Sequence, residues 1–88
     1  MARIHPTADV SPKASLGEGV SVWQNAQVRE DTRIGDRTII GMGTYIDVGV
    51  TVGKDCKFQN FVCTYAGVTL EDGRVIRDQA QGVYGFQN

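Results

Sequence analysis

The 88-residue chain has one tryptophan, one histidine, two prolines and two cysteines, and it has no long apolar run. No segment is long enough to cross a bilayer as a helix. Arg3, His5 and Pro6 interrupt any signal-peptide-like opening, so a cytoplasmic setting is expected. A lone histidine cannot supply a tetrahedral or three-histidine metal site, and no metal is expected. Net charge is −1, with acids and bases interspersed, which argues against a nucleic-acid partner. A sustained 3.6-residue period is also missing, so no long helix is expected.

A period of six is present instead. Ile4, Val10, Leu16, Val22, Val28, Ile34, Ile40, Ile46, Val52, Phe58, Thr64, Leu70 and Ile76 fall at every sixth position, and Thr64 alone is polar. Four residues after each member lies a second column that runs from Ala8 to Ala80 and is small or β-branched except at Arg74. Side chains alternate between the faces of a strand. If the first column is hexad position one, positions five and one therefore point inward, six and two outward, and three and four form a corner. Nine of the eleven glycines occupy positions two and four, where tight corners call for φ > 0. Three hexads close one triangular coil. The period predicts an all-β fold: a single-stranded parallel β-helix of a little over four coils, read from its repeat.

Residues 1–81 read as the β-helix and residues 82–88 as a C-terminal tail that caps an end or touches a neighbouring subunit. Cys56 falls in an inward column and Cys63 in an outward one, so their Cβ vectors diverge and no disulfide is expected. Burial is thin in so short a solenoid, and both ends present strand edges. A homotrimer packed side by side is expected.

The segments Ile4-His5-Pro6-Thr7-Ala8-Asp9-Val10, Val22-Trp23-Gln24, Gln59-Asn60-Phe61-Val62 and Gly67-Val68-Thr69-Leu70-Glu71-Asp72-Gly73 carry a family resemblance. Together with the hexapeptide repeat, they resemble the amino-terminal half of bacterial nucleotide-sugar N-acetyltransferases. The nearest group is the UDP-2-acetamido-3-amino-2,3-dideoxy-glucuronate N-acetyltransferases. The resemblance implies a left-handed β-helix trimer that transfers acetyl from acetyl-CoA to a sugar amine, in grooves between subunits. After Gly73 the family continues with an apolar pair, a Gly-Pro turn and Phe-Thr-Asn, whereas this chain reads Arg74-Val75-Ile76-Arg77-Asp78-Gln79-Ala80-Gln81. The family's acceptor-facing asparagine has no aligned counterpart, and Ala66 stands where several relatives have histidine. The coils that would hold much of the CoA do not follow. The chain therefore reads as a truncated acetyltransferase-like protein, inactive alone, with no cofactor expected in isolation and no catalytic residue assigned. A non-catalytic trimeric scaffold or interaction module is the alternative.

Sorting the outward columns by eighteen residues groups Trp23 and Gln59 with Tyr45 and Cys63 on one face, and stacks Arg29, Asp47 and Tyr65 on a second. Arg29 and Asp47 become vertical neighbours, either as a surface ion pair worth ~0–1 kcal/mol or as contacts to a UDP-sugar. Arg29, Asp47, Asn60 and Tyr65 are the substrate-binding candidates, although a corner asparagine also serves turn geometry. Trp23, Ile39, Tyr45 and Val75 form an outward apolar cluster that suggests subunit packing, with ligand stacking as the alternative. His5 reads as a turn residue, because a general base needs a pocket around it.

Overall fold

A computed structural model of the chain describes residues 1–77 and the backbone of Val83–Tyr84. Two-residue strands recur every six residues and build three parallel sheets. Sheet A holds β1 (Arg3–Ile4), β4 (Ser21–Val22), β7 (Ile39–Ile40), β10 (Lys57–Phe58) and β13 (Val75–Ile76). Sheet B holds β2 (Asp9–Val10), β5 (Gln27–Val28), β8 (Tyr45–Ile46) and β11 (Cys63–Thr64). Sheet C holds β3 (Ser15–Leu16), β6 (Arg33–Ile34), β9 (Thr51–Val52), β12 (Thr69–Leu70) and β14 (Val83–Tyr84). Through β13 the register is an unbroken eighteen, as in Ser21↔Ile39 and Ile39↔Lys57. The fold is the expected β-solenoid of about four coils.

Backbone amides of each coil donate to carbonyls of the next, for example Trp23 N to Ile40 O at 3.0 Å and Asp47 N to Thr64 O at 3.0 Å. The apolar column at position one fills the interior, with Val28, Ile40, Ile46, Phe58 and Ile76 fully enclosed. Ile4 is exposed and Val10 and Leu16 are half-buried, because no described coil lies beyond them.

Position five contains a second device. Thr32, Thr38 and Thr44 are buried, and each hydroxyl donates at 2.9 Å to the carbonyl fifteen residues on, at Asp47, Gly53 and Gln59. The Cys56 thiol continues the series by donating to Glu71 O at 3.1 Å. Each of these four donors is thereby satisfied inside the coil, whereas Thr64 Oγ1 and Arg74 Nε are buried without a partner among the described residues. Cys56 and Cys63 are both free thiols, the first buried and the second half-buried, in keeping with the inward and outward assignment. Arg74, the charge in the inward column, is half-buried and turns its guanidinium outward to donate to Glu71 Oε1 at 2.9 Å.

The two glycine columns have different causes. At position four, every residue from Gly19 to Gly73 has φ between 58° and 77°, including the non-glycines Asn25, Asp31, Arg37, Asp55 and Phe61. The position-two glycines lack this conformation and instead admit the next coil: a Cβ on Gly35 would lie 2.5 Å from the Gly53 carbonyl carbon.

One expectation changes. The corner separates a position-two residue from the following position six, so Trp23 shares sheet A with Ile39 and Val75, while Tyr45 and Cys63 lie on sheet B with Arg29, Asp47 and Tyr65. Within the segment expected as a tail, Val83–Tyr84 pairs with Thr69–Leu70 as an added strand of sheet C. The rest of residues 82–88 and the path over 78–81 lie outside the described residues.

Candidate functional site

The outer face of sheet A carries a groove of about 460 Å³. Its position follows from the repeat. Trp23, Gly41 and Gln59 are successive position-two residues that line it, and at Gly41 the next coil stands close, since a Cβ there would lie 2.6 Å from Phe58 O and 2.8 Å from Asn60 Oδ1. Ile39 and Met42 supply apolar side chains, the Phe58 backbone passes beneath, and Gln24, Lys57 and Asn60 supply polar groups. Trp23 is half exposed at 51%. Asn60 sits on the corner between sheets A and B, where its Oδ1 accepts the Met42 amide hydrogen at 2.9 Å. The side-chain amide nitrogen retains its donors. Phe61 follows at φ 61° and is 72% exposed; a Cβ on Gly43 would lie 2.5 Å from its ring.

A second hollow of about 220 Å³ continues the face toward the first coil, between Arg3, His5, Ser21 and Trp23. His5 thus has a pocket after all, and its hydrogen bonds define its chemistry. The Thr7 backbone amide donates to His5 Nδ1 at 3.1 Å, and the Thr7 hydroxyl lies 2.9 Å from the same nitrogen. An Nδ1 that accepts from a backbone amide leaves the proton of the neutral ring on Nε2. The neutral His5 ring therefore carries its proton on Nε2 and keeps no free lone pair.

The substrate-binding candidates divide between two surfaces. Arg29, Asp47 and Tyr65 share the outer face of sheet B, and Asn60 occupies the adjoining corner. The expected Arg29–Asp47 ion pair does not form. Arg29 turns to Asp9 at 3.3 Å and Glu30 at 3.4 Å. Asp47 Oδ1 instead accepts the Val48 amide at 2.7 Å and lies 3.4 Å from the Tyr45 hydroxyl. Burial, followed by the charge of Asp47, pushes the Tyr45 hydroxyl above its ordinary pKa. Of the interface candidates, Trp23, Ile39 and Val75 lie on one face and Tyr45 lies around the corner. No group of three or more metal-ligating side chains occurs among the described residues. No helix among them is long and apolar enough to cross a membrane.

Sequence reasoning passed over Lys57 and Gln59. The signal was available: both lie in the outward columns that hold Ile39 and Trp23.

Residues 13–48 match the family model of the bacterial transferase hexapeptide, six repeats. That stretch carries the six-residue repeat of the family. Among solved structures it is similar to a substituted perosamine N-acetyltransferase from Caulobacter crescentus in complex with CoA and GDP-perosamine. The identity is 28% and the TM-score 0.65, over 90% of this chain and 49% of that one. It also shares the fold of the acetyltransferase domain of PglB from Neisseria gonorrhoeae, at 20% identity and a TM-score of 0.71, over 92% of this chain and 51% of that one. A structure of that domain in complex with acetyl coenzyme A is also similar, at 23% identity and a TM-score of 0.53. The chain spans about half the length of the structures it matches. No curated protein matches it.

Proposed function

We propose that the chain is the β-helical module of a sugar N-acetyltransferase-type protein, cytoplasmic and assembled as a side-by-side homotrimer. The likeness to perosamine N-acetyltransferase over 90% of the chain carries this reading. Val75 and Ile39 pack against a neighbouring copy with Trp23 at the border, and Tyr45 serves the adjoining edge. A UDP-sugar meets Arg29, Asp47, Tyr65 and Asn60 where two copies meet, and acetyl-CoA is the donor of the complete transferase.

Acetyl transfer needs a deprotonated amine held near the thioester and donors for the developing oxyanion. The described residues offer donors but no free imidazole, because His5 Nδ1 is engaged by Thr7. The isolated chain therefore does not turn over. Thiol release from acetyl-CoA over a panel of amino-sugar nucleotides tests this, and turnover abolished by Asn60→Ala or Tyr65→Phe overturns the inactive reading. A trimeric scaffold without catalysis is the second reading. It is favoured by the polar groups of Arg29, Asp47 and Asn60 already being engaged within the coil. A melting temperature unmoved by either acetyl-CoA or a UDP-sugar supports it.

A further inference from the structure

The corner between sheets A and B joins its first two coils by a different bond from the later ones. Every described position-four amide from Asp31 to Gly73 donates to a backbone carbonyl of the preceding coil, as Gly43 N does to Gln24 O at 2.9 Å and Phe61 N to Met42 O at 2.8 Å. The Asn25 amide instead donates to the Thr7 hydroxyl oxygen at 3.0 Å. That oxygen lies 2.9 Å from His5 Nδ1, which also accepts the Thr7 amide at 3.1 Å. Having accepted from Asn25, the hydroxyl turns its own hydrogen to the ring nitrogen. The rung therefore runs from the Asn25 amide through the Thr7 hydroxyl to His5, the sole histidine of the chain.

A neutral imidazole suits this place and an imidazolium does not. Both nitrogens of the charged ring are donors, so no rotation of the ring offers an acceptor. The Thr7 hydroxyl is free to turn, but the Thr7 amide hydrogen is fixed by the backbone and would face an N–H across 3.1 Å. The surroundings add no compensation. The hollow that His5 lines is otherwise lined by Arg3, Ile4, Ser21, Val22 and Trp23, whose only charge is the like charge of Arg3. The corner residues Pro6, Gln24 and Asn25 carry none. The carboxylates of the same coil are engaged elsewhere, Asp9 with Arg29 at 3.3 Å and Glu18 with the terminal amine of Met1. The next corner shows a residue that does not titrate in the same role: Ser11 Oγ accepts the Lys13 amide at 3.1 Å, two residues on, as His5 does for Thr7.

We propose that His5 makes the junction of the first two coils sensitive to protons: acid that charges the ring withdraws the acceptor, and β1 loosens from β4. The opened junction leaves the ring free to carry its proton in water, so protons favour the opened form. The junction therefore weakens as pH falls through the histidine range, about pH 6.5. In the opened form the Arg3 and His5 amides leave Val20 O and Val22 O, which they meet at 2.8 and 2.9 Å. Val20 and Val22, now buried, then meet water together with the edge of β4, and an unpaired edge is a template for another strand. The device needs no ligand, no acetyl transfer and no second copy.

Amide hydrogen exchange of the full chain, corrected for its intrinsic dependence on pH, reads each rung separately. From about pH 8 to about pH 5, protection of the Asn25, Arg3 and His5 amides should fall roughly three- to tenfold, the worth of one net hydrogen bond. Gly43 and Phe61, at the same corner in later coils, should keep their protection. His5→Ser, which copies the role of Ser11, should keep Asn25 protected at both pH values. Thr7→Ala, with an unchanged circular dichroism spectrum, should leave Asn25 unprotected at both. The proposal is overturned if protection of Asn25 in the parent ignores pH, or if Gly43 and Phe61 lose as much, because acid then loosens the whole solenoid. It is also overturned by a pH response that survives in His5→Ser, or by an Asn25 amide that stays protected in Thr7→Ala.

Discussion

Gly53 and Asp72 divide one small volume between them. A Cβ on Gly53 would lie 2.2 Å from Asp72 Oδ1 and 2.6 Å from the Asp72 backbone nitrogen. Because the site is open, that Oδ1 reaches the Lys54 amide at 2.8 Å and ties one coil to the next. Gly17 and Asp36 repeat the arrangement nineteen residues apart, with the Glu18 amide as donor.

Gly53→Ala should cost about 1–3 kcal/mol by overpacking. Removing the acceptor with Asp72→Ala should cost about 1 kcal/mol. The double variant should recover only part of the sum, because the backbone nitrogen of residue 72 still crowds the new methyl. Urea denaturation of the four proteins measures the coupling.

Ile40 lies fully enclosed in the middle coil. Ile40→Asp would bury an unpaired carboxylate and should abolish the cooperative unfolding transition. Lys57→Ala on the outer face of the same sheet should cost less than about 0.5 kcal/mol. Similar losses in the two variants would show that the inward and outward columns are misassigned.

The six-residue period made the solenoid, its coil length and the identity of the buried columns legible, because a repeated inward pair leaves little freedom in how the chain can turn. The site was less legible, and the reasons are particular. The grouping of outward faces depends on which side of a position-two residue the corner falls, and that choice separates Trp23 from Tyr45. Arg29 could reach either Asp47 or the pair Asp9 and Glu30, and spacing alone does not choose among three carboxylates. The glycines at positions two and four look alike in sequence, although the former serve close approach and the latter φ > 0.

Cys56 occupies the place of a threonine and makes the same fifteen-residue bond to a carbonyl. Cys56→Thr should therefore preserve or slightly raise stability, while Cys56→Val should leave the Glu71 carbonyl without this donor and lower it by about 1 kcal/mol. Thermal melts of both variants decide this. A Thr variant less stable than the Val variant would show that the sulfur packs rather than donates.

Phe61 holds φ 61°, a conformation costly for a residue with a Cβ, and most of its ring faces solvent. Phe61→Asn should stabilise the fold by up to about 1 kcal/mol, since asparagine tolerates this region better. Destabilisation instead would mean that the ring's contact over Gly43 outweighs the backbone cost.

Asp55 accepts from Arg37 at 2.7 and 3.1 Å, and this hydrogen bond, helped by the guanidinium charge, holds its carboxyl below the usual pKa. A depressed folded-state value adds stability above the unfolded carboxylate range, and that stability is lost as pH falls through the lower folded value. Asp55→Asn should melt slightly below the parent at about pH 7 and coincide with it at about pH 2. Because both side chains are exposed, the gap at neutral pH should also shrink in salt. A gap that persists in acid would place the effect in the turn rather than the ion pair.

His5 bears most directly on catalysis. Its Nδ1 accepts the Thr7 amide, so the neutral ring carries its proton on Nε2 and has no lone pair to spare. Nitrogen-15 spectra of the full chain above the histidine titration should therefore show Nδ1 unprotonated and Nε2 protonated. Thr7→Ala removes the hydroxyl contact but keeps the amide, and the same tautomer should persist. Thr7→Pro removes the amide hydrogen, and the ring should then populate both tautomers. A base for acetyl transfer would need a free lone pair, and the Thr7 amide occupies the one on Nδ1. Finding Nε2 unprotonated in the parent would restore His5 as a catalytic candidate, and His5→Gln should then eliminate whatever turnover the thiol-release assay detects.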